Sequence, residues 1–144
     1  MERIRTRNHK EVTMLPGTVI DLAEVVATKV RELGYKDAKV HRIANITDGG
    51  IAIIRGQTID ETVYFDGLKD LIYPIRIVVS REQYVEALEV SSDIAWHVTK
   101  EDLSSTNGSY KFTSADVYEQ PHEIDFIDGC HIFETTINAR ITTY

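Results

Sequence analysis

The segment "HIFETTINARITTY" constrains the fold of this chain more than any other stretch. From Phe133 to Thr143 the odd positions are mostly apolar or β-branched, and the even positions are polar. Side chains of a β-strand alternate between its two faces, so this pattern predicts a long strand with one buried face. Such a strand needs further strands to pair with and a layer that covers its apolar face.

Two helices are predicted upstream of that strand. The first has Thr18 as its N-cap and Asp21 three residues later, a variant of the capping box, and Gly34 lies where a C-terminal glycine is expected. The second begins at Ser80, with Gln83 completing an S-x-x-Q capping box. Apolar or small residues at helical spacing are Val19, Leu22, Ala23, Val26, Val30 and Leu33 in the first helix, and Tyr84, Ala87, Leu88, Ser91, Ile94, Ala95 and Val98 in the second.

Short strand-like runs occupy the rest of the chain. The runs "KVHRIANI" and "IAIIRG" flank turn-forming residues 47–50, which predicts an antiparallel hairpin, and "TVYF" and "LIYPIRIVVS" flank a second turn at 66–70. Further strands are expected at about 109–118, at about 122–127 and along the closing segment, with Asp128-Gly129 as the last turn. The order α-β-β-β-β-α-β-β-β predicts an α+β fold, with two main helices packed on one face of a mostly antiparallel sheet.

Length and composition predict one domain preceded by an arm. A chain of 144 residues can bury about 68–70% of its unfolded surface, and 42% hydrophobic with 27% charged residues is ordinary for a globular protein. Residues 1–14 carry four basic residues between Arg3 and Lys10 among polar neighbours. We interpret them as a flexible N-terminal arm, or alternatively as an arm that orders on a neighbouring subunit or an acidic partner. Residues 15–144 form the single domain.

Charge and the lengths of apolar runs argue against several classes of protein. A net charge of −7 and a pI near 5.2 argue against sequence-independent DNA binding, which needs a basic face. Apolar runs such as "IRIVVS" are far shorter than the roughly 18–20 residues of a membrane span. The basic start lacks an apolar region behind it, so no secretory signal is expected. Cys130 is the only cysteine, which excludes an internal disulfide and a cysteine-built zinc site.

No catalytic motif is present in the sequence. It has no phosphate-binding loop, dinucleotide fingerprint or nucleophile elbow. The five histidines lack zinc-ligand spacing, although His122 and His131 could approach across the last hairpin. Cys130 and His131 are neighbours in a strand and point to opposite faces, so we interpret Cys130 as a small buried thiol. Trp96 is predicted to pack between helix and sheet. No enzyme activity, cofactor or metal is expected.

Two stretches carry a family resemblance. In "YPIRIVVSREQYVEALEVSSDIAWHV" a strand runs directly into a capped helix. In "GSYKFTSADVYEQPHEIDFIDGCHIFETTINARITTY" a strand, a proline-containing crossing and a final strand close the domain. With the first helix, this order of elements covers residues from about 15 to 144 and resembles the tail terminator (tail completion) proteins of long-tailed bacteriophages, including families described as minor capsid proteins. The arm at residues 1–14 departs from that plan, in which the first helix starts almost at once.

The resemblance implies a structural protein of the phage virion. It would form a ring, commonly a hexamer, that caps the tail tube, ends tube polymerisation and joins the tail to the head connector. DNA would pass through its lumen without specific binding. The implied partners are further copies of the chain, the tail tube protein and the head–tail connector protein. The implied location is the tail or neck of the virion, after synthesis in the host cytoplasm.

Two loops are predicted as assembly contacts. The first is the apolar turn between Tyr64 and Tyr73, since exposed apolar groups at a loop tip suit an assembly better than a monomer. Alternatively, these residues fold back onto the core. The second is polar and consists of residues 48–50 together with residues 55–61, which would order on a tube or connector partner. The predicted interface residues are Tyr64, Phe65, Leu68, Leu71 and Tyr73 in the first loop, and Asp48, Gly50, Arg55 and Glu61 in the second.

Two alternative functions remain open at this stage. One is a head-completion or stopper protein of the head–tail connector, which would bind connector protein and not tube protein. The other belongs to a different class, a small ligand-binding or enzymatic domain. That alternative predicts a deep pocket that gathers acidic or histidine side chains from several elements.

Overall fold

The computed structural model of the chain describes residues 19–41 and 50–144, together with the backbone of residues 2–5 and 11–14. These ranges contain two helices and eight strands. The helices are α1 (Leu22–Glu32) and α2 (Tyr84–Val98), and the strands are β1 (Glu2–Arg5), β2 (Glu11–Met14), β3 (Ala38–Val40), β4 (Ile51–Arg55), β5 (Ile59–Val63), β6 (Lys69–Arg81), β7 (Lys111–Ile127) and β8 (Cys130–Thr143).

The strands form two sheets. β1 and β2 pair antiparallel as a separate hairpin, so the predicted arm contains a two-stranded sheet, and the arm's flexibility stays a prediction. The other six strands form one sheet in the order β3-β4-β6-β8-β7. β5 pairs with the first residues of β6 and β4 with its last residues, so both flank β6 on the side away from β8.

β3 and β4 run parallel, with Ala38 opposite Ile51 and Val40 opposite Ile53. The predicted antiparallel hairpin at this point is therefore wrong. A tight turn can join only antiparallel strands, whereas a parallel partner needs a longer connection that returns to the starting edge. Residues 41–50 make that connection, and 42–49 lie outside the described residues. The chain thus has the predicted mixture of helices and a sheet, but the sheet is mixed rather than mostly antiparallel.

The longest pairing in the sheet joins β6 to β8. Thirteen residue pairs connect them, from Lys69 opposite Thr143 to Arg81 opposite His131. Every odd position of β8 from Phe133 to Thr143 is buried, which confirms the predicted closing strand and its buried face. Among the even positions only Thr136 is also buried in that span.

Apolar side chains collect on both sides of this sheet. The main cluster contains residues of α1 and α2 and alternating residues of the strands, and a smaller cluster lies on the opposite face. The residues of β6 and β8 in the main cluster are Leu71, Tyr73, Ile75, Ile77, Val79, Ile137, Ala139 and Ile141. The smaller cluster consists of Ala52 and Ile54 of β4, Val78 of β6 and Ile132 of β8.

The helix starts differ from their predicted positions. α1 begins at Leu22 with Asp21 as N-cap, and the predicted cap Thr18 lies outside the described residues. α2 begins at Tyr84 with Gln83 as N-cap, so the capping box from Ser80 is wrong. The reason is strand pairing, since Ser80 is paired with Ile132 inside the long β6–β8 ladder and is fully buried. Gly34 at the end of α1 has a φ of +112°, as its predicted role requires.

β7 is one continuous strand where two were predicted. Its pairing with β8 shifts register between Glu119 and His122, which leaves room for Pro121. Proline is tolerated there because β7 pairs only with β8 among the described strands, so its other edge needs no donor. The predicted turn at Asp128-Gly129 is confirmed. Its φ values are +53° and +81°, and positive φ at both residues is typical of the two-residue turns that join the strands of a β-hairpin.

The loop after α2 is anchored by Asp21. Its carboxylate accepts hydrogen bonds from the Ser105 hydroxyl at 2.7 Å, from the backbone N–H and hydroxyl of Thr106 at 3.0 and 2.6 Å, and from the Ser109 hydroxyl at 3.2 Å. Burial on its own would raise the pKa of Asp21, but the hydrogen bonds from Thr106, Ser105 and Ser109 outweigh it and hold the pKa below 3.8. One carboxylate therefore ties the start of α1 to residues that are more than eighty positions away.

We predict that Asp21→Asn lowers the free energy of unfolding by about 1 kcal/mol, because hydrogen bonds to a partly exposed charged acceptor are lost. The lowered pKa means that this contribution is fully present above pH 3.8, the unfolded value, and is lost as the pH falls through the folded value. Urea denaturation between pH 7 and pH 2.5 measures it.

The matched control is Asp60→Asn, since Asp60 is an exposed carboxylate on β5. It should leave the unfolding free energy within about 0.5 kcal/mol of the original protein. A difference between the original protein and Asp21→Asn that stays constant down to pH 2.5 would contradict the assignment.

Candidate assembly surfaces

The turn between β5 and β6 holds its own backbone in place. The Tyr64 N–H donates to the Leu68 carbonyl at 2.7 Å, and the Gly67 N–H donates to the Tyr64 carbonyl at 3.1 Å. The Leu68 N–H also donates to the Asp66 carboxylate at 3.1 Å. Gly67 has a φ of +89°, which favours glycine at this point. The turn is therefore a defined structure, which we call the tip (residues 64–68).

Phe65 at the tip is fully exposed, with a relative exposure of 114%. Tyr64 is exposed as well, and its hydroxyl donates to Asp70 at 2.7 Å, which raises the pKa of Tyr64. Leu68 is half-buried. The alternative in which the tip folds back onto the core therefore does not describe Phe65, which points into solvent from a hydrogen-bonded turn.

Two residues of the first predicted loop, which was drawn from Tyr64 to Tyr73, lie in the core. Leu71 and Tyr73 are buried and belong to the main apolar cluster. The physical reason is the alternation of β6, whose odd-numbered residues face that cluster once Lys69 begins the strand. Neither side chain can meet a neighbouring molecule on the surface, so their assignment to an interface is corrected.

The residues of the second predicted loop are not brought together. Asp48 lies outside the described residues, and the Gly50 carbonyl accepts a hydrogen bond from the Ser80 N–H at 2.9 Å. Glu61 lies near the opposite end of β6, where both its carboxylate oxygens accept bonds from Arg140 at 2.6 and 2.8 Å. Arg55 is exposed between them at the end of β4. These residues form no single contact surface.

A groove that the sequence did not predict crosses the sheet on the face opposite the main cluster. Its volume is about 520 Å³. The rims are Ile59 and Tyr118, exposed by 57% and 67%. Its floor consists of Ile72, Pro74, Thr136 and Asn138, with Gly56, Arg76, Glu119 and Glu134 around it. We refer to these ten residues as the groove.

Ion pairs mark both ends of the groove. At one end the Arg76 guanidinium donates to Glu134. At the other end Arg140 lies opposite Ile72, and the pKa of Arg140 is raised by its hydrogen bonds to Glu61. Part of the signal for this groove was in the sequence, because "LIYPIRIVVS" has apolar residues at the even positions Ile72, Pro74 and Val78 as well as at its odd positions, as expected of a strand with apolar side chains on both faces.

The exposed side of α2 is also partly apolar. Val85, Leu88 and Trp96 are exposed, and Lys100 Nζ lies 3.8 Å from the centroid of the Trp96 ring. The prediction that Trp96 packs between helix and sheet is therefore wrong. Val90, which was not among the predicted apolar positions of this helix, is buried. The sequence signal was that Val85 and Trp96 add apolar residues to α2 beside those at the predicted buried spacing, so that its apolar surface is wider than one buried face needs.

The two histidines of the last hairpin do not meet. His131 Nδ1 lies 2.6 Å from the Glu123 carboxylate, and His122 Nδ1 lies 2.9 Å from the Gln120 carbonyl. Cys130 is buried, as interpreted from the sequence. Within the described ranges no three His, Cys, Asp or Glu side chains gather as a metal site. In the same part of the chain no helix has the length and apolar character of a membrane span.

We predict that Phe65→Ser leaves the free energy of unfolding within about 0.5 kcal/mol of the original protein, because the side chain makes little contact in the isolated molecule. Leu71→Ala, three positions after Leu68, should lower that free energy by about 2–5 kcal/mol through the cavity that it leaves. Urea denaturation compares the two variants. A loss from Phe65→Ser as large as that from Leu71→Ala would show that the tip packs on the core.

No protein-family model matches the sequence. No curated protein matches it either. The resemblance to tail terminator proteins accordingly rests on the stretches quoted above.

Proposed function

We propose that this chain is a virion structural protein of the tail-terminator type, which assembles into a ring, caps the tail tube and joins it to the head connector. The observation that carries this proposal is the full exposure of Phe65 on a turn fixed by hydrogen bonds. Burying such a side chain in a contact is worth about 1.5–3 kcal/mol. Val63 and Tyr64 beside Phe65 are exposed as well, and a contiguous exposed apolar patch is typical of a protein–protein interaction site.

Exposed apolar surface occurs at separate places on the molecule. The tip lies at the start of β6, the groove crosses the middle of the sheet, and the exposed residues of α2 follow the end of β6. A ring of identical subunits needs two different surfaces that meet head to tail, together with a further surface for each axial partner. The number and separation of these surfaces support an assembly protein over a monomeric binding domain.

We also propose that α1 and α2 cover the same face of the sheet. The main apolar cluster supports this arrangement, since it unites residues of both helices with the odd-numbered residues from Leu71 to Val79 in β6 and from Ile137 to Ile141 in β8. The even-numbered residues of those strands then remain on the opposite face, where the groove lies. This division would leave one face for the core of the subunit and the other for its neighbours.

The net charge of −7 is compatible with a channel for DNA. Like charge on the lumen and on the phosphate backbone disfavours adhesion while DNA passes. We propose that DNA moves through the ring without specific binding, in the neck of the virion. No cofactor is assigned a role in this function.

The test combines sedimentation velocity of the purified chain with negative-stain imaging of tail tubes grown in its presence. We expect rings in concentrated solution or on tube ends. We also expect tubes with closed ends that are shorter than those grown from tube protein alone. A chain that stays monomeric in concentrated solution and leaves tube growth unchanged would contradict the proposal. Binding to connector protein alone, with no effect on tubes, would favour the stopper alternative.

A further inference from the structure

The hairpin formed by β1 and β2, which we call the arm hairpin, is too small to be stable by itself. Its two strands have four residues each, and among the described strands they pair only with one another. No other described helix or strand packs extensively on them. An isolated two-stranded hairpin is at best marginally stable in water, and it needs a third strand or a covered face. The arm hairpin therefore requires a further surface.

The pairing register gives the arm hairpin one mainly apolar face and one polar face. Ile4 is paired with Val12, and Arg3 is paired with Thr13. Paired residues share a face, and successive residues of a strand alternate between faces. The apolar face contains Ile4, Val12 and Met14 with Glu2, and the polar face contains Arg3, Arg5, Glu11 and Thr13. A matching sheet edge has an apolar side and an acidic side.

The outer edge of β7 is available to a further strand. Because β7 pairs only with β8 among the described strands, the backbone N–H and C=O groups of its other edge meet no strand there. The longest stretch of β7 with regular pairing is Ser114–Val117, which has four residues like β1. Changes of register on both sides of this stretch, and Pro121 beyond it, interrupt the pairing elsewhere. Ser114–Val117 is therefore the part of the edge that best accepts a four-residue strand.

The two faces of this stretch match those of the arm hairpin. Ala115 and Val117 are half-buried and pack against the main apolar cluster. Asp116 lies between them on the opposite face and is exposed. A strand that adds there with Ile4 on the side of Ala115 and Val117 extends the apolar cluster. The same orientation sets both arginines of β1 on the side of Asp116.

The two elements also differ in the sign of their charge. Residues 1–14 contain four basic residues against two acidic ones. β7 contains four carboxylates against one lysine, and all four carboxylates are exposed. The carboxylates belong to Asp116, Glu119, Glu123 and Asp125. Charges of opposite sign on two surfaces favour their encounter and fix their orientation.

The β7 edge of the same chain does not hold the arm hairpin. The chain that leaves the hairpin at Met14 is fixed again at Val19, whose carbonyl accepts a hydrogen bond from Asn107 Nδ2 at 2.9 Å. Asn107 lies four residues before the start of β7 at Lys111. The base of the arm is thus close to the beginning of β7, yet the two sheets of the single chain are separate. This edge is left for the arm hairpin of another copy.

We propose that the arm hairpin of one copy adds to the outer edge of β7 in a second copy, with β1 beside Ser114–Val117. Its apolar face then continues the main apolar cluster, and its arginines lie on the side of Asp116. The hairpin and the edge that receives it are different surfaces, so the contact is heterologous and can repeat around a ring. This inference rests on the proposed ring and names one contact between its subunits.

Photo-cross-linking between labelled copies tests this contact. The full chain is prepared with the photoreactive amino acid benzoylphenylalanine in place of Ile4, which keeps a large apolar side chain at this position. Isotope-labelled and unlabelled copies are mixed in concentrated solution and irradiated, and cross-linked peptides are identified by mass spectrometry. We expect cross-links between differently labelled copies that map to residues 112–118.

Charge reversal tests the orientation of the arm hairpin. Arg3→Glu combined with Arg5→Glu, and separately Asp116→Lys, should each reduce the yield of the cross-link about tenfold, because like charges then meet. All three substitutions together should restore about half of the yield or more, since opposite charges meet again. The matched control Asp60→Lys makes the same change on the exposed strand β5 and should leave the yield unchanged. Thermal melts that coincide with the parent's show that each variant is folded.

The remaining outcomes separate this inference from the proposed function. Rings that form while position 4 cross-links to β5, to another part of a neighbour or only within its own copy would overturn the contact and leave the tail-terminator proposal intact. Cross-links only to added tube protein, none at all, or a yield that Asp116→Lys does not change would also overturn it. A chain that forms neither rings nor tubes with closed ends would contradict the proposed function, whatever the cross-links show.

Discussion

The structure depends on the pairing of β6 with β8. Thirteen consecutive residue pairs join residues that are 50 to 74 positions apart in the chain. Closing so long a loop costs conformational entropy, which the chain recovers through the ladder and through the buried odd-numbered side chains on both strands. All other strands of the six-stranded sheet attach to this pair, since β4 and β5 flank β6, β7 flanks β8, and β3 adds to β4.

The surfaces proposed for assembly follow from that ladder. The tip is the turn that precedes β6, and its position is tied to β8 through Asp70 and Thr142. The groove floor is formed by even-numbered residues of β6 and β8 directly. A rigid ladder therefore fixes the distance between the tip and the groove. Assembly of the proposed kind needs stable relative positions of these surfaces.

Local signals in the sequence predicted part of this fold. The alternation of the closing strand, the turn at Asp128-Gly129 and the glycine at the end of α1 depend on neighbouring residues alone, and the structure confirms all three. Ser80 was misassigned because its local capping pattern was weaker than the strand pairing that buries it. The parallel direction of β3 could not be read from a turn sequence, because it depends on where residues 41–50 return the chain.

The candidate surfaces were predictable only in part, for a related reason. The sequence around a turn does not show which apolar residues already belong to the following strand. Phe65 was therefore placed correctly on the surface, whereas Leu71 and Tyr73 were placed there although they are buried. The groove combines residues from β5, β6, β7 and β8, and no single segment shows that combination. Trp96 was expected inside because a large aromatic side chain on a helix usually packs, whereas α2 has more apolar positions than its buried face can hold.

The central claim is that the β6–β8 ladder holds the tip and the groove in fixed positions in the isolated chain. Hydrogen exchange of the isolated chain, resolved by peptide, tests it most directly. The account predicts that amides of β6 and β8 exchange together and slowest, through global unfolding only, while those of the outer strand β5 exchange faster. Rapid exchange along β6 and β8 in the isolated chain would show that the ladder is not formed in advance, and would contradict the account.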